Sequence, residues 1–277
     1  MKALEKIRNL TDKFSINIKE AQEIVCHVLK IGKTQLYTEN PEIAPDKDQL
    51  IDCLAERRLK KEPLQYILGE CFFYNIKIKV GSGVLIPRPE TEILVEEVIK
   101  RKNLIADTGH KIVDLCTGSG CIALSIAKNI PEFHVFGIDI SEKAIRYAIV
   151  NKALNNIKNA DFLVGNLFEP FRGKIFSCIT ANPPYVKTED ISKLQPEIKN
   201  YEPFEALDGG EDGLRFYREI IKEAMKYLLN NGLIFLEIGA GQSDAVHTEA
   251  IMKGFEVIDV VKDLAGIERV MILKSER

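Results

Sequence analysis

The tetrapeptide Asn182-Pro183-Pro184-Tyr185 follows an apolar run, "FSCITA" at 176–181. Proline has no backbone N–H and cannot continue a central strand, so the strand must stop there. The two prolines leave a stretch of backbone with carbonyl acceptors and two missing donors, set between a carboxamide and a phenol. Such a surface suits a group rich in N–H donors. The side-chain oxygen of Asn182 and the carbonyl of Pro183 could each accept one N–H of a planar amino group, with Tyr185 offering it a flat face.

A second set of residues lies upstream. In "DLCTGSGCIALSIA", 114–127, Gly118 and Gly120 form a tight turn between an apolar run and a helical one, where backbone can approach a ligand closely. Gly118-x-Gly120-x-x-Ala123 fits a dinucleotide fingerprint, and Asp139 closes the next apolar run nineteen residues beyond Gly120. A carboxylate at that place hydrogen-bonds ribose hydroxyls. The pattern points to an adenosine-type cofactor and leaves both NAD and S-adenosylmethionine open. In an open α/β sheet, ligands sit at the carboxyl ends of strands near the topological switch point. The tetrapeptide falls at such an end beside the glycine turn, and an amino-nitrogen pocket there favours S-adenosylmethionine. A bare Asn-Pro would read only as a strand-ending turn.

These residues need a scaffold. From residue 111 apolar runs alternate with helical patterns: "KIVDL", helix 120–129, "HVFGIDI", helix 142–155, "ADFLVG", "FSCITA", helix 213–229, "GLIFLEIG", helix 243–252, "FEVIDVV" and "RVMIL". Near-continuous apolar strands separated by helices indicate a doubly wound α/β domain whose parallel sheet is covered on both faces. Before it, "FFYNIKIKV", "GSG" and "VLI" read as a β-hairpin turning at the glycines, and "PRPETEILVEEVIKRK" as a helix with Pro89 in its first turn. Residues 1–70 show only helical periodicity. Ile18, Ala21, Ile24, Val25, Val28 and Leu29 share one face, and Leu50, Ile51, Leu54 and Leu59 share another. The expected organisation is a helical bundle at 1–72, a hairpin linker at 73–88 and an α/β domain at 89–277.

Composition narrows the class. Hydrophobic residues make up 45% and charged residues 29% of 277, a soluble globular balance. A formal net charge of −3 leaves no strong electrostatic footprint for nucleic acid. The cluster Arg57, Arg58, Lys60 and Lys61 reads first as a solvated helix face. The six cysteines form no CxxC and no regular framework, and the four histidines lack zinc-ligand spacing, so no metal is expected. With no signal peptide and no apolar run of 18 residues, the expected compartment is the reducing cytoplasm.

Further stretches carry a family likeness. "PLQYILGE" (63–70), "VLIPRPETE" (84–92), "DLCTGSGCIALSIA", "GIDIS", "NPPYV", "YEPFEALDGGEDGL" (201–214) and "LEIGAGQ" (236–242) together resemble the HemK/PrmC-type release-factor glutamine methyltransferases. The resemblance runs from about residue 63 to the C-terminus. It implies a Rossmann-like class I S-adenosylmethionine-dependent domain, with the helical N-terminal segment as a small domain that docks the substrate. Cys116 departs from the pattern, since the family loop usually has Gly there.

Carried onto this chain, the resemblance has Cys116, Thr117, Gly118, Ser119 and Gly120 cradle the methionine part of the cofactor. Asp139 would bind the ribose, and Asn166 with Leu167 would flank the adenine. Asn182, Pro183, Pro184 and Tyr185 would hold the glutamine amide of a Gly-Gly-Gln motif in peptide chain release factors. The implied enzyme is a monomer that needs no nucleic acid and no membrane. Arg88 and Glu92 are polar neighbours set aside as a helix cap or surface pair, and the loop 201–213 could cover the substrate. Competing readings are a methyltransferase for a ribosomal-protein glutamine or an adenine amino group, a silent S-adenosylmethionine-binding module that assembles with translation factors, and a dehydrogenase. An adenine enzyme should add a basic target-recognition region, and residues 1–70 hold twelve Lys/Arg against twelve Asp/Glu.

Overall fold

The computed structural model describes residues 1–108 and 110–275. The chain divides into two compact units. The first comprises Met1–Glu70 with Gln195–Tyr201, the second Cys71–Leu194 with Glu202 to the C-terminus.

The first unit is helical: α1 (Ala3–Phe14), α2 (Ile18–Leu29), α3 (Lys33–Glu39), α4 (Pro45–Leu59) and α5 (Leu64–Leu68). Ala21, Ile24, Val25 and Val28 of α2 and Ile51, Leu54 and Ala55 of α4 enter one apolar core, as their spacing requires. Ile18, Leu50 and Leu59 remain exposed, because they lie at the margins of their apolar stripes. Lys6 is buried between Asp48 and Asp52, at 2.7 and 2.8 Å. The basic cluster is partly neutralised. Arg57 pairs with Glu62, and Arg58 pairs with Glu20 and with Glu197 of the inserted segment.

The second unit opens with a hairpin, β1 (Glu70–Phe73) and β2 (Ile76–Lys79). It turns at Tyr74 and Asn75, with φ of 41° and 63°, and not at Gly81–Gly83 as the sequence suggests. Two consecutive left-handed residues match the twist of a two-residue hairpin turn, a conformation that Asn tolerates and that masks the signal when Tyr precedes it.

Then come α6 (Glu92–Lys100), α7 (Lys102–Ala106), β3 (Lys111–Leu115), α8 (Cys121–Asn129), β4 (His134–Asp139), α9 (Glu142–Leu154), β5 (Ala160–Val164) and β6 (Phe176–Ala181). The one-turn α10 (Pro196–Lys199) belongs to the helical unit. The second unit closes with α11 (Arg215–Ala224), β7 (Leu228–Glu237), α12 (Ser243–Met252), β8 (Phe255–Lys262) and β9 (Glu268–Ser275). The seven-stranded sheet runs β5-β4-β3-β6-β7-β9-β8. Strands β3 to β7 pair in parallel, but β9 is antiparallel to both β7 and β8, so the sheet is mixed rather than wholly parallel. The reason is local. Asp263 accepts from Ala265 and Ile267, closing a tight turn too short for a parallel crossover.

Chain direction across the sheet reverses between β3 and β6, because β4 and β5 lie on one side of β3 and β6 on the other. That is the switch point. It places the glycine turn after β3 beside Asn182 after β6.

Candidate active site

The loop after β3 is shaped by a buried acid. Asp114 is fully buried, and its two oxygens accept from the hydroxyls of Thr117 (2.5 Å) and Thr180 (2.7 Å). Burial pushes its carboxyl up to about 7, against the pull of those hydroxyls and the Ala123 amide. Asp114 thus ties the start of the loop to the neighbouring strand β6. Thr117 N–H donates to Ile138 O, tying the same loop to β4. Gly118 has a φ of 55°, and a Cβ built on it would meet only Val84 at 3.9 Å. Backbone and ligand can therefore approach each other closely there.

Asp139 closes β4. Its Oδ2 accepts from Gly118 N–H at 2.8 Å and its Oδ1 from Ser141 N–H at 2.9 Å. Each oxygen keeps capacity for a further donor such as a hydroxyl. Burial raises its pKa, and the two amides act against that.

Asn182 leaves β6 with its amide pinned. Nδ2 donates to the buried Thr91 hydroxyl at 3.1 Å, and among the described residues no protein donor reaches Oδ1. The tetrapeptide is held from behind. Gln242 Nε2 donates to Tyr185 O at 2.9 Å and to Gly213 O at 3.3 Å, while Val186 N–H donates to Leu207 O and Val186 O accepts from Gly209 N–H. Gly213 has a φ of 77°, and a Cβ there would lie 2.5 Å from Tyr185 O, so the contact admits no side chain.

A cavity of about 650 Å³ opens over this corner of the sheet. Of the residues expected from sequence, Cys116, Thr117, Gly118, Ser119, Asp139, Asn166, Leu167, Asn182 and Pro184 line it. Gly120, Pro183 and Tyr185 do not. Gly120 caps α8 with a φ of 78°, beneath Phe162 and Ala148. Pro183 is buried, and the Tyr185 ring packs into the core with its hydroxyl donating to Glu237 Oε1 at 3.5 Å.

Known proteins are similar to this chain in sequence and in fold. Residues 89–198 match the methyltransferase small domain, and residues 5–69 match the PrmC N-terminal domain. A release factor glutamine methyltransferase from Thermodesulfovibrio yellowstonii is 72% identical over 277 residues, all of this chain and 99% of that one. The chain belongs to the release factor glutamine methyltransferases. A second member, from Fusobacterium nucleatum, is 42% identical over 263 residues, 92% of this chain and 73% of its own. Among solved structures, the hMettl16 catalytic domain in complex with a MAT2A 3′UTR hairpin superposes with a TM-score of 0.58 at 14% identity, covering 85% of each chain. That likeness concerns the fold.

Residues outside the expected set also line the cavity or brace the elements around it. Arg88 lines the cavity and pairs at 2.6 Å with Glu202, whose side chain is 1% exposed and also accepts from Ile86 N–H. Glu92 accepts from Tyr74 N–H and so secures the hairpin turn. Phe204, Glu205, Ala206 and Asp208 bring the 201–213 loop onto the cavity wall. Asp114, Thr91 and Glu237 were hidden as single polar positions in apolar or helical stretches. An acid one residue before the end of a buried strand, as in "KIVDL", is the available signal.

No helix among the described residues is long and apolar enough to cross a membrane, and no group of three His, Cys, Asp or Glu among them could hold a metal ion.

Proposed function

We propose that this chain transfers a methyl group from S-adenosylmethionine to the side-chain amide nitrogen of the Gln in the Gly-Gly-Gln motif of peptide chain release factors. The observation that carries the reading is the Asn182 carboxamide, pinned by Thr91 so that its oxygen is left as an acceptor beside a cavity that also holds Asp139 and the Gly118 turn.

The residues fit the cofactor. Ser119 Oγ, on the cavity wall, is buried without a hydrogen-bond partner among the described residues, and Gly118 leaves room for close approach. Asp139 offers acceptors for ribose hydroxyls, Asn166 and Leu167 would flank the adenine, and the 116–119 segment would hold the methionine portion. When bound, S-adenosylmethionine supplies an electrophilic methyl group.

An amide nitrogen is a weak nucleophile because its lone pair is delocalised into the carbonyl. Asn182 Oδ1 and the Pro183 carbonyl would each accept one N–H of the substrate, orienting the nitrogen and favouring localisation of the lone pair. Positioning of this kind accounts for much of the rate without a strong general base. Tyr185 supports the loop from the core side. The helical unit would grip the body of the release factor, its balanced charge suiting a protein better than a polyanion.

The test is to incubate the protein with methyl-labelled S-adenosylmethionine, a release factor and bulk RNA, and to locate the label by mass spectrometry. Label on the Gly-Gly-Gln glutamine is expected, and label on RNA or nowhere would refute the proposal. Asp139→Ala should weaken binding of S-adenosylhomocysteine by roughly 1.5–3 kcal/mol, the worth of a charge-assisted hydrogen bond. Asn182→Ala should keep that binding and lose transfer.

A further inference from the structure

We propose that Asn151 is a positioning residue for the cofactor: it fixes the turn after β3 to the extended segment that supplies another stretch of the cavity wall. The proposal rests on the reading that S-adenosylmethionine binds at the Gly118 turn.

Helix α9 carries a row of side chains at four-residue steps, Lys143, Tyr147, Asn151 and Asn155. Four helical residues advance about 6 Å, and two residues of extended chain advance about 6.6 Å. A helix row can therefore meet every second residue of a strand. This one does. Asn155 accepts from Lys77 N–H at 3.2 Å and donates to Lys77 O at 2.7 Å. Asn151 accepts from Lys79 N–H at 2.6 Å and donates to Lys79 O at 3.1 Å. Each carboxamide serves β2 as the backbone of a neighbouring strand would. Past β2 the row meets glycines. A Cβ on Gly81 would collide with the Tyr147 hydroxyl, and one on Gly83 with the Lys143 stem. Bare backbone fits along the helix there, and it delivers Gly83, Val84, Leu85, Pro87 and Arg88 to the cavity.

Asn151 differs from the rest of its row. Its Nδ2 also donates to Ser119 O at 3.0 Å, whereas the third bond of Asn155 goes to Asn151 O within α9. Asn151 is 0% exposed and does not line the cavity, but Ser119 does. The Ser119 hydroxyl is buried there without a partner among the described residues, as a group awaiting a ligand would be. Other bonds hold the turn on either side of it. Thr117 N–H donates to Ile138 O, Gly118 N–H to Asp139 and Gly120 N–H to Thr117 O. Asn151 holds the Ser119 carbonyl itself. The task needs a carboxamide, which accepts once and donates twice; a carboxylate cannot donate, and a hydroxyl has one proton to give.

Calorimetry with S-adenosylhomocysteine tests this on a matched pair of variants. Asn151→Leu and Asn155→Leu each remove one attachment of β2 and should lower the melting temperature, but only Asn151→Leu releases Ser119 O. Asn151→Leu should weaken binding about 10-fold, the worth of about one buried hydrogen bond, and Asn155→Leu should stay within about 2-fold of the parent. In methyl transfer, Asn151→Leu should raise the cofactor KM by a like factor and keep most of kcat. If Asn151→Leu does not fold, Asn151→Ser against Asn155→Ser makes the same comparison. Parent-like binding by the Asn151 variant would overturn the proposal. Equal losses in both variants would overturn it too, since a general loosening of β2 would then be the cause. Failure of the parent protein to bind S-adenosylhomocysteine would instead sink the cofactor reading.

Discussion

Cys116 has a φ of 56°, in the left-handed region where a Cβ crowds the backbone and glycine is at ease. The departure from the family loop is therefore a substitution at a place where backbone geometry favours Gly. Reverting it removes about 1–2 kcal/mol of strain but adds freedom to the unfolded chain worth about 0.4–1 kcal/mol. The thiol is half-buried on the cavity wall, and burial pushes its pKa up, so it remains a neutral thiol rather than a nucleophile. Cys116→Gly should thus unfold within about 1 kcal/mol of the parent and keep its cofactor affinity, while Cys116→Val, branched at Cβ, should lose more than about 2 kcal/mol. Thermal unfolding of the two variants decides it, and equal stability of Val and Gly would remove the strain argument. The position was legible in the sequence as an odd residue in a glycine loop. Its backbone conformation was not, because a cysteine carries no signal for positive φ.

Between strand and loop, the unit that matters is a clasp around the tetrapeptide. Gln242, opening α12, donates to Tyr185 O and Gly213 O and accepts from Gly239 N–H (3.0 Å) and the Tyr217 hydroxyl (3.3 Å). One side chain thus joins the exit of β6, the end of the 201–213 loop and the exit of β7. Gln242→Leu keeps the bulk and strands the Tyr185 and Gly213 carbonyls, while Gly239 N–H keeps the Tyr217 hydroxyl as acceptor and that hydroxyl keeps Glu237 O. We expect a loss of about 1–3 kcal/mol in urea unfolding, the cost of buried groups left unpaired. Methyl transfer should fall further than S-adenosylhomocysteine binding, because the tetrapeptide moves and the glycine turn does not. Transfer that stays normal despite the stability loss would show that the clasp is not needed to aim Asn182. The strands and helices around it could be read from apolar runs and period, and the tetrapeptide from its prolines. The clasp could not, since Gln242 and Gly213 are distant in sequence and nothing in "LEIGAGQ" says which carbonyls its glutamine meets.

Over the whole molecule, the alternation of apolar strands and helices is enough to specify a doubly wound domain, and the cavity lies at its switch point. Two features escaped it. Residues 195–201 leave the α/β chain to join the helical unit, where Glu197 meets Arg58 and the Tyr201 hydroxyl donates to Lys60 O, and no local pattern marks such an excursion. The buried carboxylates escaped as well, and together they set the response to pH. Burial raises Asp114 and Glu237 to about 7 and also raises Glu202 and Asp139, all in the α/β unit. A carboxyl whose folded pKa exceeds its unfolded one holds its proton more tightly when folded, so stability is full below the ordinary carboxylate range and declines as pH rises toward 7. The surface carboxylates held low by partners, among them Asp161, Asp212 and Asp263, act in a different window and weaken the fold only below about pH 4. The melting temperature should therefore fall between pH 5 and pH 8, and Glu237→Gln should flatten that slope. A melting temperature that climbs from pH 5 to pH 8 in the parent protein would contradict this.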